Sequence, residues 1–244
     1  GCGPAQIRPG FGFGGWKKMR MRKKKWARPE LARCPYFVDD PRAQRGKWHG
    51  WFRGEDRPLY LELGCGKGVF LAELALRSPR INFLGVDLSR DVLGVARRNI
   101  EKAYAAQNRP VDNIALAAHN IEQILLMMDR NDAAERIYIN FCNPWPKEKH
   151  HKRRLTHPRQ LRSYQELLAP GGEIHFKTDD DDLYRATLRY FRECGFEILR
   201  QTEDLHAESW MDNIESEHEL MFAAQGIPIK AAVAQWENAN AVST

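Results

Sequence analysis

From residue 58 onward, short β-rich apolar runs alternate with segments of helical period, and this alternation limits the fold more than any other feature. Runs at 59–63, 81–86, 114–118, 136–141, 173–177 and 196–200 read as strands, and a seventh is expected within 218–224. Residues 69–77, 91–107, 121–128, 158–168 and 180–194 carry apolar side chains at helical spacing, as at Ile121, Ile124, Leu125 and Met128. A turn is expected at Pro170-Gly171-Gly172. Strands alternating with helices predict an α/β fold, a mostly parallel seven-stranded sheet with helices on both faces. The expected division is a basic arm and lead-in at 1–57, one α/β domain at 58–236 and a tail at 237–244. The chain opens with Gly, and Gly-rich residues 1–18 read as an extension upstream of a natural start at Met19.

The first strand ends in Glu62-Leu63-Gly64-Cys65-Gly66-Lys67-Gly68. Its glycines let the backbone turn sharply and approach a ligand closely. The spacing lacks the last step of a dinucleotide fingerprint, and no Lys-Ser/Thr follows as in a Walker loop. Asp87, ending the second strand, fits a ribose diol, whose hydroxyls both donate to one carboxylate. Glu62 would repel a pyrophosphate but suits the cationic end of S-adenosylmethionine; a strand-end acid paired with an arginine is the plainer reading.

The fourth strand breaks at Asn143-Pro144-Trp145-Pro146 and turns at once into the cationic run Lys147, Lys149, Lys152, Arg153 and Arg154. Two prolines in four residues make a stiff turn at the carboxyl end of a strand, where open α/β sheets bind ligands. Phosphate contact by the loop is expected. Trp145 could stack on a base or pack against the sheet. Net charge is +6, with lysines and arginines clustered, also in Arg20–Lys25 beside Trp26, which suits a polyanionic partner. His150, His151 and His157 lack an acid or cysteine cluster, so no metal is expected. The five cysteines form no C-x-x-C pair and predict neither a zinc site nor a disulfide framework, as in a reducing cytoplasm. No apolar run reaches membrane-spanning length.

Several of these stretches together resemble the tRNA (guanine-N7)-methyltransferases: the ELGCGKG turn, the GVD strand end, Phe141–Lys147, and Lys152-Arg153-Arg154-Leu155-Thr156. Lys177-Thr178-Asp179 and Ser216-Glu217-His218-Glu219 match as well, and the likeness spans about residues 20–235. It implies a Rossmann-like methyltransferase fold, S-adenosylmethionine as cofactor, and methylation of guanine 46 in the variable loop of tRNA by a cytoplasmic monomer or homodimer. It further implies that Glu62, Gly64, Gly66, Asp87, Asn120 and Asn143 bind the cofactor, with Asn143 between cofactor and base. Lys147, Asp179, Ser216, Glu217, His218 and Glu219 are implied as substrate contacts, and Lys152, Arg153 and Arg154 as phosphate contacts. The family usually has acids at 120 and 143 and Thr at 216, where this chain has Asn120, Asn143 and Ser216.

Plainer readings stand beside these. Asp179–Asp182 would serve as an acidic first helical turn, and Glu215, Glu217 and Glu219 as exposed surface. A methyltransferase acting on an exocyclic amine, or a non-catalytic RNA-binding protein of the same fold, are the competing functions.

Overall fold

The computed structural model describes residues 24–237. The lead-in supplies α1 (Ala27–Ala32), β1 (Phe37–Val38) and α2 (Trp48–Trp51). The alternating part begins with β2 (Leu59–Leu63), α3 (Val69–Arg77), β3 (Asn82–Asp87), α4 (Arg90–Ala105) and β4 (Ile114–Ala118). It continues through β5 (Ala134–Asn140), α5 (Pro158–Gln165), β6 (Leu168–Thr178), α6 (Asp181–Glu193) and β7 (Glu197–Thr202). The end of the chain adds α7 (Leu205–Glu208), α8 (Glu217–Ala224) and β8 (Lys230–Trp236). One eight-stranded sheet runs β1-β4-β3-β2-β5-β6-β8-β7, parallel except where β8 pairs with β6 and β7.

Strand residues alternate between two cores because successive side chains point to opposite faces. Leu84, Val86, Ala115, Ala117, Ile137, Ile139, Ile174 and Phe176 lie on one face with Leu161, Tyr164, Leu183 and Phe191. Phe83, Ile114, Leu116 and Tyr138 lie on the other with Phe70, Leu71, Leu93, Ile100 and Tyr104. Covering both faces is what lets parallel strands be almost continuously apolar.

Four expectations need correction. The strand expected within 218–224 is helix α8, capped by Ser216, whose hydroxyl accepts from the Glu219 N–H at 3.1 Å. The last strand is β8, and β1 adds an eighth at the edge, parallel to β4. The helix expected at 121–128 is a 3-10 segment, Ile121–Leu126, broken by the non-helical Gln123. The Pro170-Gly171-Gly172 turn lies inside β6, where the pairing with β5 jumps from Ala134–Leu168 to Arg136–Glu173. The lead-in is built into the body of the protein. Buried Asp132 accepts the N–H groups of Gly46 and Trp48 at 2.6 and 2.8 Å, and Trp48 is wholly enclosed. The basic residues 20–23 lie outside the described residues. Their neighbour Trp26 carries the Arg98 guanidinium 3.4 Å above its ring.

Candidate active site

The strand order reverses between β2 and β5, and the crevice at their carboxyl ends is where such sheets bind ligands. The glycine turn is fastened to the end of β3: Gly64 and Cys65 donate to the Val86 carbonyl at 2.8 and 3.1 Å. Gly66 donates to Asp87 Oδ2 at 3.0 Å, and Ser89 N–H donates to Oδ1 at 3.0 Å. Gly64 and Gly66 have φ of 83° and 52°, a left-handed conformation that side chains resist, and space is open beside Gly64. Asp87 thus fixes the turn, each of its carboxylate oxygens accepting one backbone N–H.

Glu62 is 4% exposed, and its Oε2 has no hydrogen-bond partner. Burial pushes its carboxyl up to about 8, against a lowering by the Asn140 hydrogen bond. Asn140 Nδ2 donates to Glu62 Oε1 at 3.4 Å, while Asn140 Oδ1 is itself buried without a partner. Two enclosed polar atoms without partners, Glu62 Oε2 and Asn140 Oδ1, cost about 1–3 kcal/mol each. They fit a cationic ligand group that would satisfy both. Sequence reasoning missed Asn140; the signal was its place at the strand end three residues before Asn143. Asn120 lies at the end of β4 and uses Oδ1 to cap the 3-10 helix, accepting from Glu122 N–H at 3.1 Å.

Asn143 is exposed, and its Oδ1 accepts the Trp145 N–H at 3.0 Å. The turn holds two non-glycine residues at positive φ, Phe141 at 52° and Trp145 at 45°. Trp145 packs within its own loop, under the Arg153 guanidinium at 4.0 Å and beside His150. Lys147, Lys149 and Lys152 are exposed and make no ion pair among the described residues.

Arg154 departs from the expected phosphate contact. Its side chain is 1% exposed; Nε donates to the Pro144 carbonyl at 2.7 Å and Nη2 to Asp182 at 2.6 Å. A guanidinium enclosed in this way is closed to RNA. Arg153 remains half exposed, 3.6 Å from Glu122.

The substrate contacts implied after β6 fall into two groups. Asp179 is partly buried, and burial raises its carboxyl. Asp180 caps α6, while Asp181 and Asp182 pair with Lys230 and Arg154. Ser216 is buried in its cap, Glu217 pairs with Lys67 at 3.0 Å, and His218 stacks on Phe141 at 5.7 Å. Glu219 was expected to face substrate, but it is 0% exposed. It accepts from Lys177 Nζ at 2.8 Å and from Asn213 at 2.7 Å. Lys177 also donates to Asn213 and to the Ile214 carbonyl. For Glu219 to touch a guanine, this packing would have to open.

A cavity of ≈ 790 Å³ lies between α3, α4 and the 205–220 segment, lined by Val69, Asn99, Lys102, Trp210 and Ile214 among others. None of Glu62, Asp87, Asn120 or Asn143 lines it; these four lie at or just beyond the carboxyl ends of β2, β3, β4 and β5. Among the described residues no group of His, Cys, Asp or Glu is placed to hold a metal ion, and no helix is long and apolar enough to cross a membrane.

Residues 56–232 match the family described as "Putative methyltransferase". The tRNA (guanine-N(7)-)-methyltransferase of Clostridium beijerinckii is 54% identical over 220 residues, 90% of this chain and 100% of that one. The enzyme of the same name from Clostridium perfringens (strain SM101) is 53% identical over 217 residues, 89% of this chain and 99% of that one. Among solved structures, an antibiotic-related methyltransferase superposes with a TM-score of 0.56 at 13% identity, covering 82% of this chain and 96% of that one. The 16S rRNA methyltransferase KamB superposes with a TM-score of 0.53 at 12% identity, covering 81% of this chain and 91% of that one. At those identities the likeness concerns the fold alone.

Proposed function

The chain belongs to the tRNA (guanine-N7-)-methyltransferase family, and from that premise we propose that it methylates N7 of guanine 46 in the variable loop of tRNA. S-adenosylmethionine is the methyl donor, its sulfonium supplying the methyl group. The observation that supports this site best is the juxtaposition of β2 and β5. Buried Glu62 meets Asn140, and three residues on, the same strand end presents Asn143 and a lysine-rich loop.

Glu62 and Asn140 would hold the cationic end of the cofactor, Asp87 its ribose, and Gly64 and Gly66 would admit it against the backbone. Guanine N7 is a bare in-plane acceptor with no proton to remove. The residues around it therefore need only align the base and exclude water. That suits amides at 120 and 143. Positive charge grows on the base during transfer, so Asp179 on the rim of the crevice would stabilise it and accept from the guanine N–H groups. The exocyclic-amine reading expects Asn/Asp-Pro-Pro-aromatic at this strand end, whereas here the order is Asn143-Pro144-Trp145-Pro146 and a lysine-rich loop follows.

Unmodified tRNA incubated with labelled cofactor should yield N7-methylguanosine, mapped to the variable loop. A label on another atom, or none, would overturn the proposal. The loop should bind phosphate through Lys147, Lys149 and Lys152. Neutralising these three together is expected to flatten log affinity against log salt by roughly two to three units. An unchanged slope would remove the loop from the RNA interface.

A further inference from the structure

We propose that Arg154 is a positioning residue that fixes the orientation of Asn143 and its spacing from Asp179, the two proposed guanine contacts; this rests on the reaction proposed above. The peptide between Pro144 and Trp145 links Arg154 to Asn143. Its carbonyl accepts from Arg154 Nε at 2.7 Å, and its N–H donates to Asn143 Oδ1 at 3.0 Å. The peptide plane is therefore gripped at both polar ends, one grip being the Asn143 side chain itself. Trp145 itself stands at φ 45°, a conformation a tryptophan does not hold unless its surroundings impose it. If the carbonyl were released, the plane would be free to turn, and Asn143 would lose the partner that aims it.

The other arm of the same guanidinium reaches a different element. Nη2 donates to Asp182 Oδ2 at 2.6 Å, in the first turn of α6, three residues after Asp179. The start of α6 is held from its far side as well, where Lys230 Nζ donates to the Asp179 carbonyl at 3.0 Å. One rigid fork thus spans from the turn carrying Asn143 to the helix start carrying Asp179. Arg154 also ends the 3-10 helix Glu148–Arg153, the body of the lysine-rich loop. Three substrate-facing pieces meet at a single enclosed side chain. A lysine would keep the charge but, lacking the planar fork, could not hold both acceptors in this geometry.

The test uses the full chain with Arg154→Lys, Arg154→Ala and Asp182→Asn. For Arg154→Lys, kcat for tRNA methylation is expected to fall about tenfold to a hundredfold. KM for tRNA, its salt dependence and cofactor affinity should stay within about twofold, because no phosphate or cofactor contact is lost. Methylguanidine added to Arg154→Ala should restore part of kcat. If Arg154→Ala does not fold, Arg154→Lys and Asp182→Asn carry the test, Asp182→Asn with a smaller fall of the same kind. Hydrogen exchange at the Trp145 amide should quicken in Arg154→Lys, a readout independent of activity. If wild type forms no N7-methylguanosine, the proposed reaction fails while the exchange measurement still judges Arg154. Full kcat in Arg154→Lys would overturn the inference. So would unchanged exchange at Trp145, or a raised KM and shallower salt slope at constant kcat, which would make Arg154 a phosphate contact.

Discussion

Glu62→Gln is expected to weaken S-adenosylmethionine binding by roughly tenfold to a hundredfold, the loss of one charge-assisted contact in an enclosed site. The glutamine keeps the size of the side chain and an acceptor for Asn140, so the fold should survive. The pH dependence is the sharper result. Glu62 has its carboxyl raised from 4.5 to about 8 by burial in the ligand-free protein. A cationic ligand favours the ionised form, so binding below about pH 8 must expel a proton. Affinity should rise with pH up to that value and then level off. The sign for stability is opposite. A raised folded pKa gives a contribution that is complete below the unfolded value and is lost as pH rises through the folded one. The ligand-free protein should therefore lose stability between about pH 4.5 and 8, and Glu62→Gln should remove that part of the slope. Titration calorimetry in two pH buffers and denaturant melts across the range check both halves. Affinity independent of pH in wild type would remove Glu62 from the cation site.

Lys177→Met is expected to destabilise the protein by about 3–5 kcal/mol, the largest effect on folding predicted for any single residue here. Lys177 is 13% exposed and Glu219 is 0% exposed, with Nζ and Oε2 2.8 Å apart. Burial lowers the Lys177 ammonium, and Glu219 counters that lowering. Removing the lysine leaves an ionised carboxylate enclosed with only Asn213 as donor, and His206 Nε2 3.5 Å away. The melting temperature should fall by roughly 10 °C or more for a domain of this size. Glu219→Gln added to Lys177→Met should recover more than half of the loss, since the stranded charge is then gone. A single mutant that costs less than about 1 kcal/mol would mean that water reaches Glu219 when Lys177 is removed. The same lysine holds Asn213 and the Ile214 carbonyl, so hydrogen exchange in 205–219 should quicken in the mutant.

The sequence by itself determined the class of fold, because the periods of two and of 3.6 are local properties of the chain. It determined where the crevice lies for the same reason. Glu62 with its glycines and Asn143 with its prolines both mark strand ends, and adjacent parallel strands in such a sheet bring their carboxyl ends together. It did not determine which of two neighbouring arginines faces solvent. Arg153 and Arg154 differ in nothing that local pattern records. Arg154 is enclosed because Pro144 and Asp182, 10 and 28 residues away, supply acceptors on one side of it. Glu219 is a parallel case. With Glu215 and Glu217 it reads as exposed surface, and only Lys177 on β6, 42 residues away, makes it a buried ion-pair partner. The last strand was hidden for a different reason. Ala231, Ala232 and Ala234 have weak intrinsic strand preference, and β8 forms because it lies between β6 and β7, where both its edges are paired. The segment of helix α8 reads as that strand although its Ser-x-x-Glu start is a helix signal. Local period and turn chemistry act within a few residues and survive in one dimension. The burial of a charge or of an alanine-rich strand depends on partners that only the closed sheet brings near.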